Sequence, residues 1–132
     1  MKLDFTPLEK ALLSMERAIS RSQSAPKDEE LRDAVIQRFE YTMDLSWKFI
    51  RRVVRAAGVR DEEIRTKRDL FREGAKLGLI KDPAKWFAYH EARNETSHTY
   101  NLVVAQRVYE KALEFFKDAK ILPEALRKHD DA

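Results

Sequence analysis

The sequence contains no cysteine among its 132 residues. Disulfide bonds and metal sites with thiolate ligands are therefore excluded. Glycine and proline number only three and four, which is too few for the many turns of an all-β protein. The chain also lacks an apolar run of the ~20 residues that a membrane-spanning helix needs, and its first residues lack the apolar run of a signal peptide. These absences favour a helical cytoplasmic protein without a membrane segment.

Hydrophobic residues make up 43% of the chain and charged residues 37%. This balance supports a real core beneath a strongly solvated exterior. The formal net charge of +3 permits an RNA partner without requiring one. The length suits one domain, which we place at residues 1–122. We expect residues 123–132 to form a frayed C-terminal tail after Pro123.

Five segments have the spacing of apolar residues that is typical of amphipathic helices. The first begins at Thr6-Pro7 with a predicted capping box to Glu9, and Gly58 is the predicted left-handed stop of the second. The predicted helices span about 6–19, 28–57, 67–77, 83–93 and 101–122, with a loop at 20–26. Because the connections are short, we expect an all-α, antiparallel up-and-down bundle of four to five helices.

The second predicted helix has two apolar stripes, which indicates that it packs on more than one side. The first stripe is Leu31, Val35, Phe39, Thr42, Leu45 or Ser46, Phe49 and Val53, and the second is Ile36, Met43, Trp47, Ile50 and Val54. We interpret the second stripe as a surface for another copy of the chain. The sequence therefore predicts a homodimer, with pairing of dimers left open.

The segment from Arg93 to Tyr100 gathers the side chains best suited to chemistry. Arg93 and His98 are five residues apart, so an ideal helix would separate them by about 140°. They can converge only if the helix ends between them or if two copies meet. A histidine can exchange protons near neutral pH, and an arginine can stabilise a pentacoordinate phosphate without a metal. Asn94 could add a hydrogen bond. From the residues alone, a structural ion pair or cap is the favoured explanation of Arg93 and His98.

A second candidate region is the basic end of the long helix, at Arg51, Arg52 and Arg55. These cations could face the phosphates of RNA or a nucleotide, and we add Ser97 to this set of candidate contacts. The alternative is an ordinary solvated face, since the dipole of a helix favours cations near its C-terminus.

Metal ligation finds little support. Glu95-x-x-His98 is a single Glu-x-x-His, whereas di-iron bundles need two such motifs and further carboxylates. His90 and His98 do not have the spacing of zinc ligands. We therefore expect neither a metal nor another cofactor.

Arg-x4-His-x-Tyr, from Arg93 to Tyr100, resembles the motif of HEPN-domain proteins of the HepT type. The longer segment Ala92–Asn101 is similar to the branch called nucleotidyltransferase substrate-binding proteins. Two other segments, Arg38–Lys48 and Asp82–Trp86, also resemble that branch. The likeness extends from Phe5 to about Phe116, and the three segments together make it specific.

This resemblance implies a helical dimer whose cleft is lined by Arg93 and His98 of both copies. It also implies a small nucleotidyltransferase as partner. In the toxin–antitoxin form the HEPN protein is a metal-independent ribonuclease that leaves 2′,3′-cyclic phosphate ends, and the partner silences it by transferring AMP to the motif tyrosine, here Tyr100. The catalytic residues would be Arg93, His98 and Asn94. The alternative that the family name preserves is a non-catalytic subunit that binds a substrate of the nucleotidyltransferase.

Overall fold

The computed structural model describes residues 2–130, and within that range the chain forms helices and no strand. The six α-helices are Thr6–Ser24 (α1), Glu29–Ala56 (α2), Lys67–Lys76 (α3), Pro83–Asn94 (α4), Leu102–Ala119 (α5) and Leu122–Asp130 (α6). Short 3₁₀ turns occupy Asp61–Glu63 and Thr96–His98. The predicted all-α fold is confirmed, and α1 to α5 correspond to the five predicted helices.

Side-chain caps begin four of these helices where the sequence places short polar residues. Asp28 Oδ1 accepts the Glu30 N–H at 2.9 Å, and Asp82 Oδ1 accepts the Ala84 N–H at 3.0 Å. Thr66 and Asn101 cap α3 and α5 in the same way. Gly58 has a φ of +99° after the end of α2, as expected of a left-handed stop.

Helix α1 begins at Thr6 as predicted, but its predicted capping box and its predicted end are both wrong. The Thr6 side chain forms no cap, and Asp4 Oδ1 instead accepts the Thr6 N–H at 3.0 Å. At the other end, the segment expected as a loop continues the helix to Ser24. Ser22 is buried there, with its hydroxyl 2.8 Å from the Tyr109 hydroxyl of α5. Packing against α5 therefore stabilises a turn whose serines have weak helix propensity.

The expected frayed tail is also wrong for its described part. Residues Leu122–Asp130 form α6, and Leu122, Pro123 and Leu126 are buried. Pro123 lies in the first turn, where a proline lacks no hydrogen bond that the helix needs. The end of α6 is tied to the N-terminal region, since the Leu3 N–H donates to Asp130 at 2.7 Å.

Helix α2 is the centre of the bundle and contacts α1, α3, α4, α5 and α6. It runs antiparallel to α1, because Phe5 packs on Phe49 and Ser14 bonds to Arg38. Of its second apolar stripe, Ile36, Met43, Ile50 and Val54 are buried within the chain itself. The inference that this stripe is left for a second copy is therefore wrong. Dimerisation itself stays a prediction.

Candidate functional site at the junction of α4 and α5

The motif segment crosses the point where α4 ends. Arg93 lies on the last turn of α4, and Asn94 is its final residue. The chain then makes the 3₁₀ turn Thr96–His98 and enters α5 through its cap Asn101. The helix thus ends between Arg93 and His98, which is one of the two arrangements that their five-residue spacing allowed.

The Arg93 guanidinium makes a two-point ion pair with Asp44 on the facing helix α2. Its Nε lies 2.7 Å from Oδ1 and its Nη2 lies 2.8 Å from Oδ2. Both side chains are largely shielded, at 27% and 29% exposure. Partial burial raises the pKa of Asp44, but the hydrogen bonds and charge of Arg93 outweigh it, so the pKa is lowered overall. The same bonds raise the pKa of Arg93. This geometry fixes the plane of the guanidinium.

Glu40, one turn before Asp44 on α2, extends this network to the 3₁₀ turn. The Thr96 hydroxyl lies 2.6 Å from Glu40 Oε2 and 2.9 Å from the Arg93 carbonyl oxygen. Arg93 Nη1 approaches Thr96 Oγ1 at 3.5 Å and Glu40 at 4.0 Å. Nη1 is therefore held more loosely than the two nitrogens that face Asp44.

A second anchor joins the turn to α5. Arg107 on α5 donates to Glu95 Oε2 from Nε at 3.2 Å and from Nη2 at 3.1 Å. Inside the segment, the Thr99 hydroxyl donates to the Thr96 carbonyl at 3.1 Å. The turn is thus bound to α2 on one side and to α5 on the other.

The remaining motif side chains face solvent. Asn94, Ser97 and His98 are exposed, and Tyr100 is 84% exposed. The His98 ring meets the Tyr100 ring edge-on, with centroids 6.3 Å apart. Within the described part of the chain, no hydrogen bond joins His98 to Arg93. The structure therefore places both on one short segment but does not bring them into contact.

Exposed apolar side chains continue from this segment into α5. Leu102 and Val103 are 61% and 72% exposed, directly after Tyr100 and Asn101. Large apolar groups that face water side by side are typical of a surface that meets another protein.

A half-buried polar group that the sequence did not single out lies beside Arg93. Burial and the charge of Lys67 lower the pKa of His90, whose Nδ1 is buried with no hydrogen-bond partner in the described chain. The Lys67 ammonium stands 3.8 Å over the Trp47 ring. Burial, and then the charge of Arg51, lower the pKa of Lys67.

Two of the three arginines proposed to bind phosphate already have a carboxylate partner. Arg51 Nη2 lies 2.6 Å from Asp61 Oδ1, and Arg55 pairs with the same atom. Arg52 packs over the Phe49 ring, 5.8 Å from its centroid. A phosphate at Arg51 or Arg55 would have to compete with Asp61.

No group of three His, Asp or Glu side chains within residues 2–130 is arranged to hold a metal ion. No helix in the same range is long and apolar enough to cross a membrane.

Comparison with known proteins shows the family to which this chain is related. Residues 3–128 match the family described as nucleotidyltransferase substrate binding protein like. A protein of Haemophilus influenzae named Probable ribonuclease HepT is 31% identical over 139 aligned positions, covering 98% of this chain and 95% of that protein. The chain belongs to the nucleotidyltransferase substrate-binding protein-like family. The predicted HepT-type HEPN membership is thereby confirmed.

Solved structures agree with this family. A Haemophilus influenzae structure described as revealing the fold of a substrate binding domain of a nucleotidyltransferase superposes with a TM-score of 0.85 at 30% identity, covering 94% of this chain and 99% of that one. A Thermus thermophilus crystal structure gives a TM-score of 0.75 at 26% identity, covering 91% and 98%. The family fold therefore accounts for nearly the whole chain.

Glu40 and Asp44 are the site residues that the sequence reasoning missed. They fall inside Arg38–Lys48, one of the segments that resemble the family. Their spacing of four residues puts both on one face of α2. Two carboxylates one turn apart on the central helix were the available signal that a cation packs against it.

Proposed function

We propose that this chain is a metal-independent endoribonuclease toxin of a two-component toxin–antitoxin system, whose partner is a small nucleotidyltransferase. The observation that carries the proposal is that a solvent-exposed His98 and an Arg93 whose plane Asp44 fixes lie on one short, anchored segment. The name of the Haemophilus influenzae relative, Probable ribonuclease HepT, supports the same activity.

In the proposed reaction the nucleophile that attacks the phosphate is a hydroxyl group of the RNA itself. His98 removes the proton from a ribose 2′-hydroxyl, and that oxygen attacks the adjacent phosphorus. Arg93 stabilises the charge on the phosphate oxygens through the loosely held Nη1, and Asn94 orients them. The bond to the 5′-oxygen breaks, this oxygen takes up a proton, and a 2′,3′-cyclic phosphate remains.

A homodimer would supply two copies of this turn. Because His98 and Arg93 do not touch within one chain, the proposed cleft combines residues of both copies. Leu102 and Val103, exposed beside Tyr100, are the apolar surface that we assign to this contact.

Tyr100 is the proposed acceptor of AMP. Its side chain is 84% exposed and its described ring contact is to His98 alone. An adenylyl group on its oxygen would add bulk and negative charge close to His98, and would hinder an RNA phosphate from approaching.

A second candidate function follows from the family description and from the substrate-binding fold reported for the Haemophilus influenzae structure. In it the chain binds a substrate for a nucleotidyltransferase and cuts nothing. Arg93 and His98 would then contact that ligand without chemistry.

The deciding experiment is cleavage of several RNAs in EDTA by protein of unmodified intact mass, with His98→Ala in parallel. We expect cleavage by the unmutated protein alone, with 2′,3′-cyclic phosphate ends. If neither protein cuts, the binding-subunit function is favoured. Equal cleavage by both would show that His98 is not catalytic or that the preparation carries another nuclease.

A further inference from the structure

A groove with a volume of about 570 Å³ runs between α1 and α2, lined by three arginines. Arg17 and Arg21 project from successive turns of α1, and Arg38 projects from α2. Ser14 and Ser20 contribute hydroxyl groups to its wall, and Ala18 and Ala34 leave room between the helices. The groove thus combines concentrated positive charge with hydroxyl groups.

None of these three guanidiniums has a carboxylate partner within the described chain. Arg17 Nε reaches only the Leu13 carbonyl, at 3.5 Å. Arg38 donates to the Ser14 hydroxyl at 3.1 Å and to the Ala34 carbonyl at 3.2 Å. By contrast, Arg51, Arg55 and Arg93 all pair with aspartates.

This arrangement is unfavourable for the free protein. Like charges at positions i and i+4 of a helix, here Arg17 and Arg21, destabilise it. Arg38 adds a third positive charge from across the groove, and its hydrogen bond to Ser14 holds it there. Binding of an anion would relieve this repulsion, and guanidinium groups match the geometry of phosphate oxygens.

The groove lies on the same helix as Asp44, the partner of Arg93, but on a different face of it. Asp44 follows Arg38 by six residues, which is about 9 Å along α2 and about 120° around it. Tyr41 lies midway, 38% exposed, with its hydroxyl donating to Ser14 at 3.1 Å. A strand that leaves the turn at His98 would reach the groove by passing around α2 across the Tyr41 ring, on which a base can stack.

We propose that the α1–α2 groove binds phosphate groups, and that these belong to the RNA strand beyond the cleavage site. This inference rests on the proposed function for its substrate, but it assigns a separate site with its own residues. Arg17 and Arg21 supply most of the charge, and Arg38 adds a third guanidinium from the α2 wall of the groove.

The test measures binding of a labelled single-stranded RNA across a range of salt concentrations, in a His98→Ala background that prevents cleavage. For a single strand, removing one arginine that neutralises a phosphate should reduce the slope of log K against log salt by about 0.7. For Arg17→Ala/Arg21→Ala we therefore expect a reduction of about 1.4 in the slope, and an affinity lower by at least about tenfold at 0.1 M salt.

Two matched variants control for charge alone. Arg60→Ala/Arg127→Ala removes the same net charge from arginines that have carboxylate neighbours, and should leave RNA affinity nearly unchanged. Arg17→Lys/Arg21→Lys keeps the charge and should retain most of the affinity. Because Arg17 and Arg21 are exposed, circular dichroism should show intact folding for every variant.

The outcomes separate this inference from the proposed function. If RNA binds and the groove variant binds it equally well, with an unchanged salt slope, the groove proposal is overturned while RNA binding stands. If the groove variant loses affinity but the unmutated chain never cuts RNA, the groove stands and the nuclease proposal fails. If the groove variant loses affinity for ATP and not for RNA, the phosphates belong to a free nucleotide and the RNA assignment is overturned.

Discussion

Asp44→Asn is the change that most directly tests how the site is built. It keeps the shape of the side chain but removes the charge and one of the two acceptors that hold Arg93. Hydrogen bonds to charged groups contribute about 1.5–3 kcal/mol each, and this pair is about 70% shielded from water. We expect the free energy of unfolding to fall by about 2 kcal/mol and Tm to fall by roughly 6–12 °C.

The assay is urea unfolding followed by circular dichroism at pH 7, arranged as a double-mutant cycle with Arg93→Gln. If each substitution acts by breaking the two-point ion pair, the two should couple by roughly 1–3 kcal/mol. Asp33→Asn is the matched control. It lies on the same helix and pairs with Arg32 at 2.9 Å, but Asp33 is 58% exposed, so its replacement should cost less than about 0.5 kcal/mol.

Asp44→Asn should also cleave RNA more slowly, because Arg93 would lose its fixed orientation. Cleavage is measured at a temperature well below the unfolding transitions of this variant and of the unmutated protein. A coupling below about 0.5 kcal/mol, or Asp44→Asn as stable as the Asp33→Asn control, would refute the reasoning that Asp44 positions Arg93. Acid should reproduce part of the destabilisation. The lowered pKa of Asp44 gives stability that is present above its unfolded value near 3.9 and that disappears as pH falls through the folded value.

Three further predictions follow from particular side chains. Tyr100→Phe should prevent transfer of AMP by the partner enzyme, measured by intact mass, yet leave folding unchanged; modification of this variant would assign the acceptor elsewhere. Because burial lowers the pKa of His90, unfolded chains bind a proton near pH 6.5 before folded ones do. The free energy of unfolding, measured by urea titration at several pH values, should therefore fall as pH drops below about 6.5, and it should fall less in His90→Gln. An equal dependence on pH in the two proteins would contradict this. Leu126→Ala should cost about 2–5 kcal/mol because Leu126 is fully buried, whereas a frayed tail would tolerate it.

Much of the fold could be predicted from the sequence because its signals are local. Asp28, Thr66, Asp82 and Asn101 each begin a helix as short polar residues before an apolar pattern, and Gly58 ends one. The Pro123 interpretation failed because a proline marks the first turn of a helix as readily as the residue after its end. Only the burial of Leu126 distinguishes the two cases, and burial depends on the whole bundle.

The site was predicted in part for a related reason. Its position at the end of α4 is one of the two arrangements that the spacing of Arg93 and His98 allowed. The partner of Arg93 does not follow from that spacing, because Asp44 lies 49 residues away in sequence and meets it only through the antiparallel packing of α2 and α4. The prediction that the second apolar stripe of α2 contacts another copy failed because an apolar pattern shows that a face is covered, but not which helix covers it.

The anchoring of the 3₁₀ turn has a consequence for how such a protein could be switched off and on. Glu40 and Arg107 bind the turn to two rigid helices, while Tyr100 extends into solvent. A group attached to that ring would change what can approach the turn without altering the bundle beneath it. Under the proposed function, a cell could then keep a fully folded but silent store of the enzyme. Restoring activity would require the removal of one chemical group, and neither new synthesis nor refolding.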